Sequence, residues 1–135
     1  MAQTNWQNLP STSTPLNETN LNKIENKFTY STSEQEVGTW INGKPIYRKV
    51  LNIGTITSQS TINTGIVNMD KLINLTGTSK LENSYDINLP SNGDAVSGVV
   101  YRMRLQNNGT KLAVECSSNS FVNTYIIIEY TKTTD

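Results

Sequence analysis

Histidine is missing from the 135-residue chain altogether. With it go the commonest general base, the Ser/His and Cys/His nucleophile pairs and most zinc sites, so any catalysis would have to run on carboxylates alone. Cysteine occurs once, as Cys116, which excludes an intrachain disulfide. It sits in an alternating stretch, where a buried, inert thiol is the plainest reading. No charge sign dominates: 11 basic and 11 acidic residues leave a formal net charge of zero. Nothing therefore supplies the field that draws a protein to nucleic acid or anionic lipid, and neither is expected as a partner. No stretch approaches the ~20 apolar residues of a membrane span, and the opening MAQTNWQNLPSTSTP has neither the basic region nor the apolar run of a secretory signal. The expectation is a chain made in a cytoplasm, not exported by that route and not anchored in a membrane.

Alanine is also scarce, limited to Ala2, Ala95 and Ala113, and apolar residues make up 35%, against about 45 to 50% in globular domains. What is abundant is Asn, Thr and Ser, a mixture that favours strands and turns over helices. A core this thin gains stability when part of the surface is buried in an oligomer.

Residues 1–16 carry Pro10 and Pro15, with Trp6 and Leu9 as apolar handles, and read as an extended arm. Residues 17–29 read as a short helix. Asn17 is a good N-cap, Glu18 suits the positive helix end, and Leu16 and Leu21 fall at the two positions of a hydrophobic staple. Leu21, Ile24 and Phe28, at i, i+3 and i+7, form one apolar stripe. A helix of some ten residues is marginal alone. Its stripe docks either on its own domain or on copies of itself in a bundle.

Residues 30–135 read as a β-domain. Asn42-Gly43 marks a hairpin between Val37–Trp40 and Ile46–Val50, with Gly38 opposite Tyr47, Trp40 opposite Pro45, and the two large aromatics on one face. Asn108-Gly109 as a two-residue loop pairs Leu105 with Leu112, Met103 with Val114 and Tyr101 with Cys116 on one face, and Arg102 with Glu115 and Arg104 with Ala113 on the other. Gly65–Asn68 and Leu72–Thr76 suggest two shorter strands, and Thr78–Gly93 a polar region. Val122–Thr131, apolar on both sides over its centre, suits a central strand or a subunit contact. Seven or eight short strands at this spacing predict an all-β antiparallel sandwich, jelly-roll-like, preceded by a short α-helix.

Three blocks carry a resemblance: NWQNLPSTSTPLNETNLNKIE at 5–25, YSTSEQEVGTWINGKPIYRKV at 30–50 and YIIIEYTKTTD at 125–135, together about two fifths of the chain. They resemble segments of tail and tail-fibre proteins from phages and prophages of Gram-positive bacteria, the second block resembling the start of their C-terminal head domain. The resemblance implies a virion protein at the tail tip, homotrimeric about a fibre axis and joined to other tail or baseplate proteins, whose β-domain meets the host surface. On this sequence it implies Leu21, Ile24 and Phe28 as the trimer contact. Fibres of this kind usually carry a long shaft between helix and head. Here the helix runs almost directly into the head.

The expected ligand is a host cell-wall or capsular saccharide, bound without cleavage. Saccharide recognition needs an apolar ring face with amide, hydroxyl and carboxylate groups converging on hydroxyls, presented on loops of a rigid scaffold. Tyr85, Asp86, Asn88, Asn92 and Asp94 in one loop, and Ser118, Asn119 and Phe121 in another, are the candidates. A structural tail-tip adaptor without a receptor site is the alternative, and a carboxylate depolymerase the third. The last rests on scattered acids such as Glu34 and Glu36, which two apart on a strand would point the same way. Asp70, Asp86 and Asp94 could offer oxygen to calcium, but no DxDxDG-like loop holds them. No metal or cofactor is implied.

Overall fold

The computed structural model describes residues 18–81, 86–92, 100–116 and 121–135. Among these described residues one helix, α1 (Glu18–Phe28), precedes nine strands: β1 (Gln35–Thr39), β2 (Pro45–Ile56), β3 (Ser60–Asn63), β4 (Met69–Leu81), β5 (Asp86–Leu89), β6 (Ser91–Asn92), β7 (Val100–Gln106), β8 (Lys111–Cys116) and β9 (Phe121–Lys132). They stack as an antiparallel sandwich, with β1-β2-β9-β4-β5 in one sheet and β3-β8-β7-β6 in the other. β2 pairs with β9 and β3 pairs with β8, so segments far apart in sequence nest inside one another as in a jelly roll. The chain passes from the larger sheet to the smaller twice, between β2 and β3 and again at Pro90 between β5 and β6.

The two Asn-Gly dipeptides make different turns. Asn107, Asn108 and Gly109 have φ of 50°, 50° and 84°, and the Thr110 N–H donates to the Asn107 carbonyl at 3.2 Å, so residues 107–110 join the two strands with a left-handed, I′-like turn centred on Asn108-Gly109. The register of β7 on β8 follows from it as expected, Arg102 opposite Glu115 and Leu105 opposite Leu112. At the first hairpin Gly43 has φ +87°, its N–H donates to the Trp40 carbonyl, and the Trp40 N–H donates to the Lys44 carbonyl. This is a three-residue loop ending on a left-handed glycine. Thr39 therefore faces Pro45, Gly38 faces Ile46, and a bulge at Val37 puts Glu36 opposite Tyr47. The expected Trp40–Tyr47 cluster does not form. Tyr47 turns inward against Tyr130, ring centroids 6.1 Å apart, while the Trp40 ring lies 5.7 Å from the Lys71 ammonium.

Gly65–Asn68 is a loop rather than the expected strand. Gly65 (φ 66°) and Asn68 (φ 56°) take left-handed backbone at the two ends of this four-residue segment, which turns it out of an extended ladder. The segment wraps over the β7–β8 turn: the Thr64 hydroxyl donates to the Gly109 carbonyl at 2.5 Å, and Ile66 is buried. The strand falls just before it, as β3, and Leu72–Thr76 extends into the thirteen-residue β4.

β9 lies between β2 and β4 in the larger sheet and turns Thr124, Ile126, Ile128 and Tyr130 into the core. Alternation breaks near its start. Asn123 has φ +51°, and the register against both neighbours shifts there, so Phe121 rather than Val122 points inward. Phe121 is fully buried among Leu51, Ile56, Leu112, Val114 and Ile126, which corrects its candidacy as a receptor contact.

The helix is held by its polar side. Arg48, 6% exposed on β2, donates from Nη2 to the Asn26 and Thr29 carbonyls at 2.6 and 2.5 Å, and its guanidinium lies 4.3 Å from the Tyr30 ring centroid. Those carbonyls stand at the end of α1, where a cation complements both the unpaired acceptors and the helix dipole. Glu129 across the strand balances the charge at 3.8 Å. Gln35 bonds Asn26, and Lys23 pairs with Glu36 at 3.1 Å. The apolar stripe stays out of the sandwich: Leu21, Ile24 and Phe28 are 47%, 40% and 80% exposed.

Two substitutions probe this arrangement by urea unfolding. Phe121→Ala removes a fully buried ring and should lower stability by about 3–5 kcal/mol. Arg48→Ala strands the helix-end carbonyls and leaves Glu129 without its counter-ion; a loss of about 2–4 kcal/mol is expected, with a drop in helical circular dichroism.

Candidate functional site

Sheet register brings together residues that are far apart in sequence. Asn52 on β2 faces Tyr125 on β9, Tyr125 faces Thr78 on β4, and Thr78 faces Asn88 on β5. Because their neighbours Leu51, Ile126, Gly77 and Leu89 are buried, these four side chains fall on the outer face of the larger sheet. All four are exposed, Tyr125 at 44%. Three strand spacings give the row a span of roughly 14 Å. Asp86, two residues from Asn88 and opposite Lys80, adds a charged pair of positions beside it. Asn52 Oδ1 accepts the Gly54 N–H at 3.2 Å, which fixes its carboxamide at the bulge.

An exposed phenol ring flanked by two carboxamides, a hydroxyl and a carboxylate is a combination suited to polyols. The ring face covers sugar C–H groups and the flanking groups exchange hydrogen bonds with hydroxyls. Toward the helix the same face becomes apolar at Val50 and Ile127 and then ionic at Arg48 and Glu129.

Of the residues expected from sequence, Asp86 and Asn88 lie in this row or beside it, on strand β5 rather than on a loop. Asn92 is in β6, in the smaller sheet. Tyr85, Asp94, Ser118 and Asn119 lie outside the described residues, as do the arm and the Asn17 cap. Asn52, Thr78 and Tyr125 were not singled out by sequence. The second face of the Val122–Thr131 strand did display Tyr125, but its cross-strand neighbours come from segments about 45 to 75 residues away.

The acids take structural partners. Glu34, just before β1, accepts hydrogen bonds from the Tyr130 hydroxyl and the Lys132 ammonium. Glu36 faces the helix and pairs with Lys23. Glu34 and Glu36 are therefore not the aligned carboxylate pair that two-residue spacing suggested. Asp70 pairs with Lys44 at 2.9 Å. Among the described residues no three His, Cys, Asp or Glu side chains gather as a metal site, and no helix is long and apolar enough to cross a membrane. Cys116 packs against the core with its thiol 3.8 Å from the Ile56 carbonyl, and burial pushes its pKa up.

Around Glu34 the protein holds an unusual set of titrating groups. Burial opposes the Glu34 charge, but the hydrogen bonds from Lys132 and Tyr130 and the attraction of Lys132 and Lys49 outweigh it and leave the carboxyl below its ordinary 4.5. Tyr47 is pushed up to about 12, first by burial and then by its hydrogen bond to Asp135. Burial and the bond to Glu34 raise Tyr130 as well. A carboxyl whose pKa is depressed by folding stabilises the fold above its unfolded pKa and loses that contribution as pH falls through the folded value. Denaturant midpoints should accordingly fall as the solution is acidified from about pH 5 downward, and Glu34→Gln should lower stability at pH 7 while flattening this acid limb.

No protein family, curated protein or solved structure matches the chain.

Proposed function

We propose that the chain is the receptor-binding tip of a phage tail fibre and grips a saccharide of the host cell surface without cutting it. The observation that carries this reading is the exposed row Asn52–Tyr125–Thr78–Asn88 with Asp86 beside it, a ring face and polyol partners on a rigid sheet. It agrees with the likeness of the three sequence blocks to tail-fibre segments. Non-cleaving binding is favoured because Glu34 and Glu36, the best-spaced acids, are engaged by Tyr130, Lys132 and Lys23.

The helix supports the second half of the proposal. Its polar side is bound to the sandwich, and its stripe Leu21, Ile24 and Phe28 faces away, free to meet the same stripe in two further copies. A homotrimer carried in the virion, joined to other tail proteins, would present three copies of the row. Tethered sites of this kind gain avidity of order 10² to 10⁴ without new contacts.

Binding of labelled protein to susceptible cells and to their purified surface polysaccharide tests this. Tyr125→Ala should weaken binding more than about tenfold with an unchanged unfolding midpoint, as expected for an exposed aromatic anchor. Leu21→Ser with Ile24→Ser and Phe28→Ser should turn a trimeric mass in light scattering into a monomeric one and lower apparent affinity by about 10². Binding by Tyr125→Ala equal to that of the parent chain would defeat the assignment of the row. Absence of any binding to susceptible cells would favour an adaptor role.

A further inference from the structure

A second feature lies on the opposite side of the sandwich. β7 and β8 turn Met103, Leu105, Leu112 and Val114 toward the core. Arg102, Arg104, Lys111, Ala113 and Glu115 therefore face outward. Among the described residues, three cations stand against one acid on these two strands, in a chain whose total charge is balanced. The face is also hollowed. A depression of about 320 Å³ is lined by Pro90, Arg102, Met103, Arg104, Ala113 and Glu115.

We infer that this depression is a separate binding site for an anionic group, a phosphodiester or a carboxylate, borne by a surface polymer. Each guanidinium offers a planar fork that matches either group in two parallel hydrogen bonds. Ala113, with no side chain beyond Cβ, lies between Arg104 on β7 and Thr61 on β3 and leaves room beside Arg104, and Pro90 also lines the depression. Glu115 sits opposite Arg102 and 3.5 Å from Arg104. That ion pair is solvent-exposed and so holds Arg104 only weakly. An incoming anion can take over the guanidinium at little cost, with Glu115 limiting affinity and selecting against anions that cannot reach both arginines. The inference draws on the tail-fibre reading only in naming a surface polymer as the source of the anion.

The test uses the full chain, isotopically labelled, titrated at low salt with poly(glycerol phosphate), with polygalacturonate and with neutral dextran, and followed by backbone amide shifts. Shifts confined to residues 102–104 and 113–115 with either anionic polymer are expected, and which polymer acts identifies the group. Arg102→Gln with Arg104→Gln, both exposed, should weaken that binding at least about tenfold. Glu115→Gln should tighten it several-fold, an effect a structural role for Glu115 would not produce. Tyr125→Ala should leave it unchanged, so failure here and failure of the Tyr125 row are read separately. The inference is overturned if neither anionic polymer moves these amides, if dextran moves them equally, or if the double arginine variant binds like the parent chain.

Discussion

The pairing of β9 on both of its edges is the constraint on which the rest of the molecule depends. Its inner face supplies Thr124, Ile126, Ile128 and Tyr130 to the core, and its ladders to β2 and β4 hold the larger sheet together. The buried hydroxyl of Thr124 meets Ser79 Oγ at 2.7 Å, so the polar positions on the inner face are satisfied within the same ladder. The segment between helix and sandwich is fastened to this strand as well, through Glu34 on Tyr130 and Lys132 and through the Arg48–Glu129 pair. Such pairing joins residues roughly 80 positions apart, as in Tyr47 opposite Tyr130. Contacts of that separation form late and make folding slow relative to local hairpins.

One strand thus serves two surfaces. Ile126 and Ile128 lock β9 from the inside, and the alternation of the pleat puts Tyr125 outside on backbone that is paired on both sides. A binding ring on such a strand loses little freedom on engaging a ligand, which favours affinity by pre-organisation. Arg48 has the corresponding role for the helix. It ties the end of α1 to the outer face of β2, so in the proposed trimer the direction of the helix bundle and the orientation of the Asn52–Tyr125–Thr78–Asn88 row are set by the same sheet.

Local signals were legible where neighbouring residues carried the whole instruction. The 3.6-residue spacing of Leu21, Ile24 and Phe28 marked the helix, and Asn108-Gly109 determined the entire register of β7 on β8. Asn42-Gly43 shows the limit of the same rule. Only Gly43 of that pair takes a left-handed φ, and the β1–β2 register moved accordingly. In β9 the left-handed backbone at Asn123 exchanged the roles of Val122 and Phe121, sending a supposed ligand contact into the core.

The candidate site divides in the same way. Asp86 and Asn88 stood out as polyol-type groups in a polar stretch, and Arg102, Arg104 and Glu115 were assigned to one outward face by hairpin arithmetic. Their chemical identity, the all-β class and the helix before it were determined by the amino-acid sequence alone, because period and turn chemistry act between residues a few positions apart. That Asn52, Tyr125, Thr78 and Asn88 share a row was decided only by tertiary structure. Strand order and bulges come from packing two sheets around one core, and no short stretch of sequence contains that information.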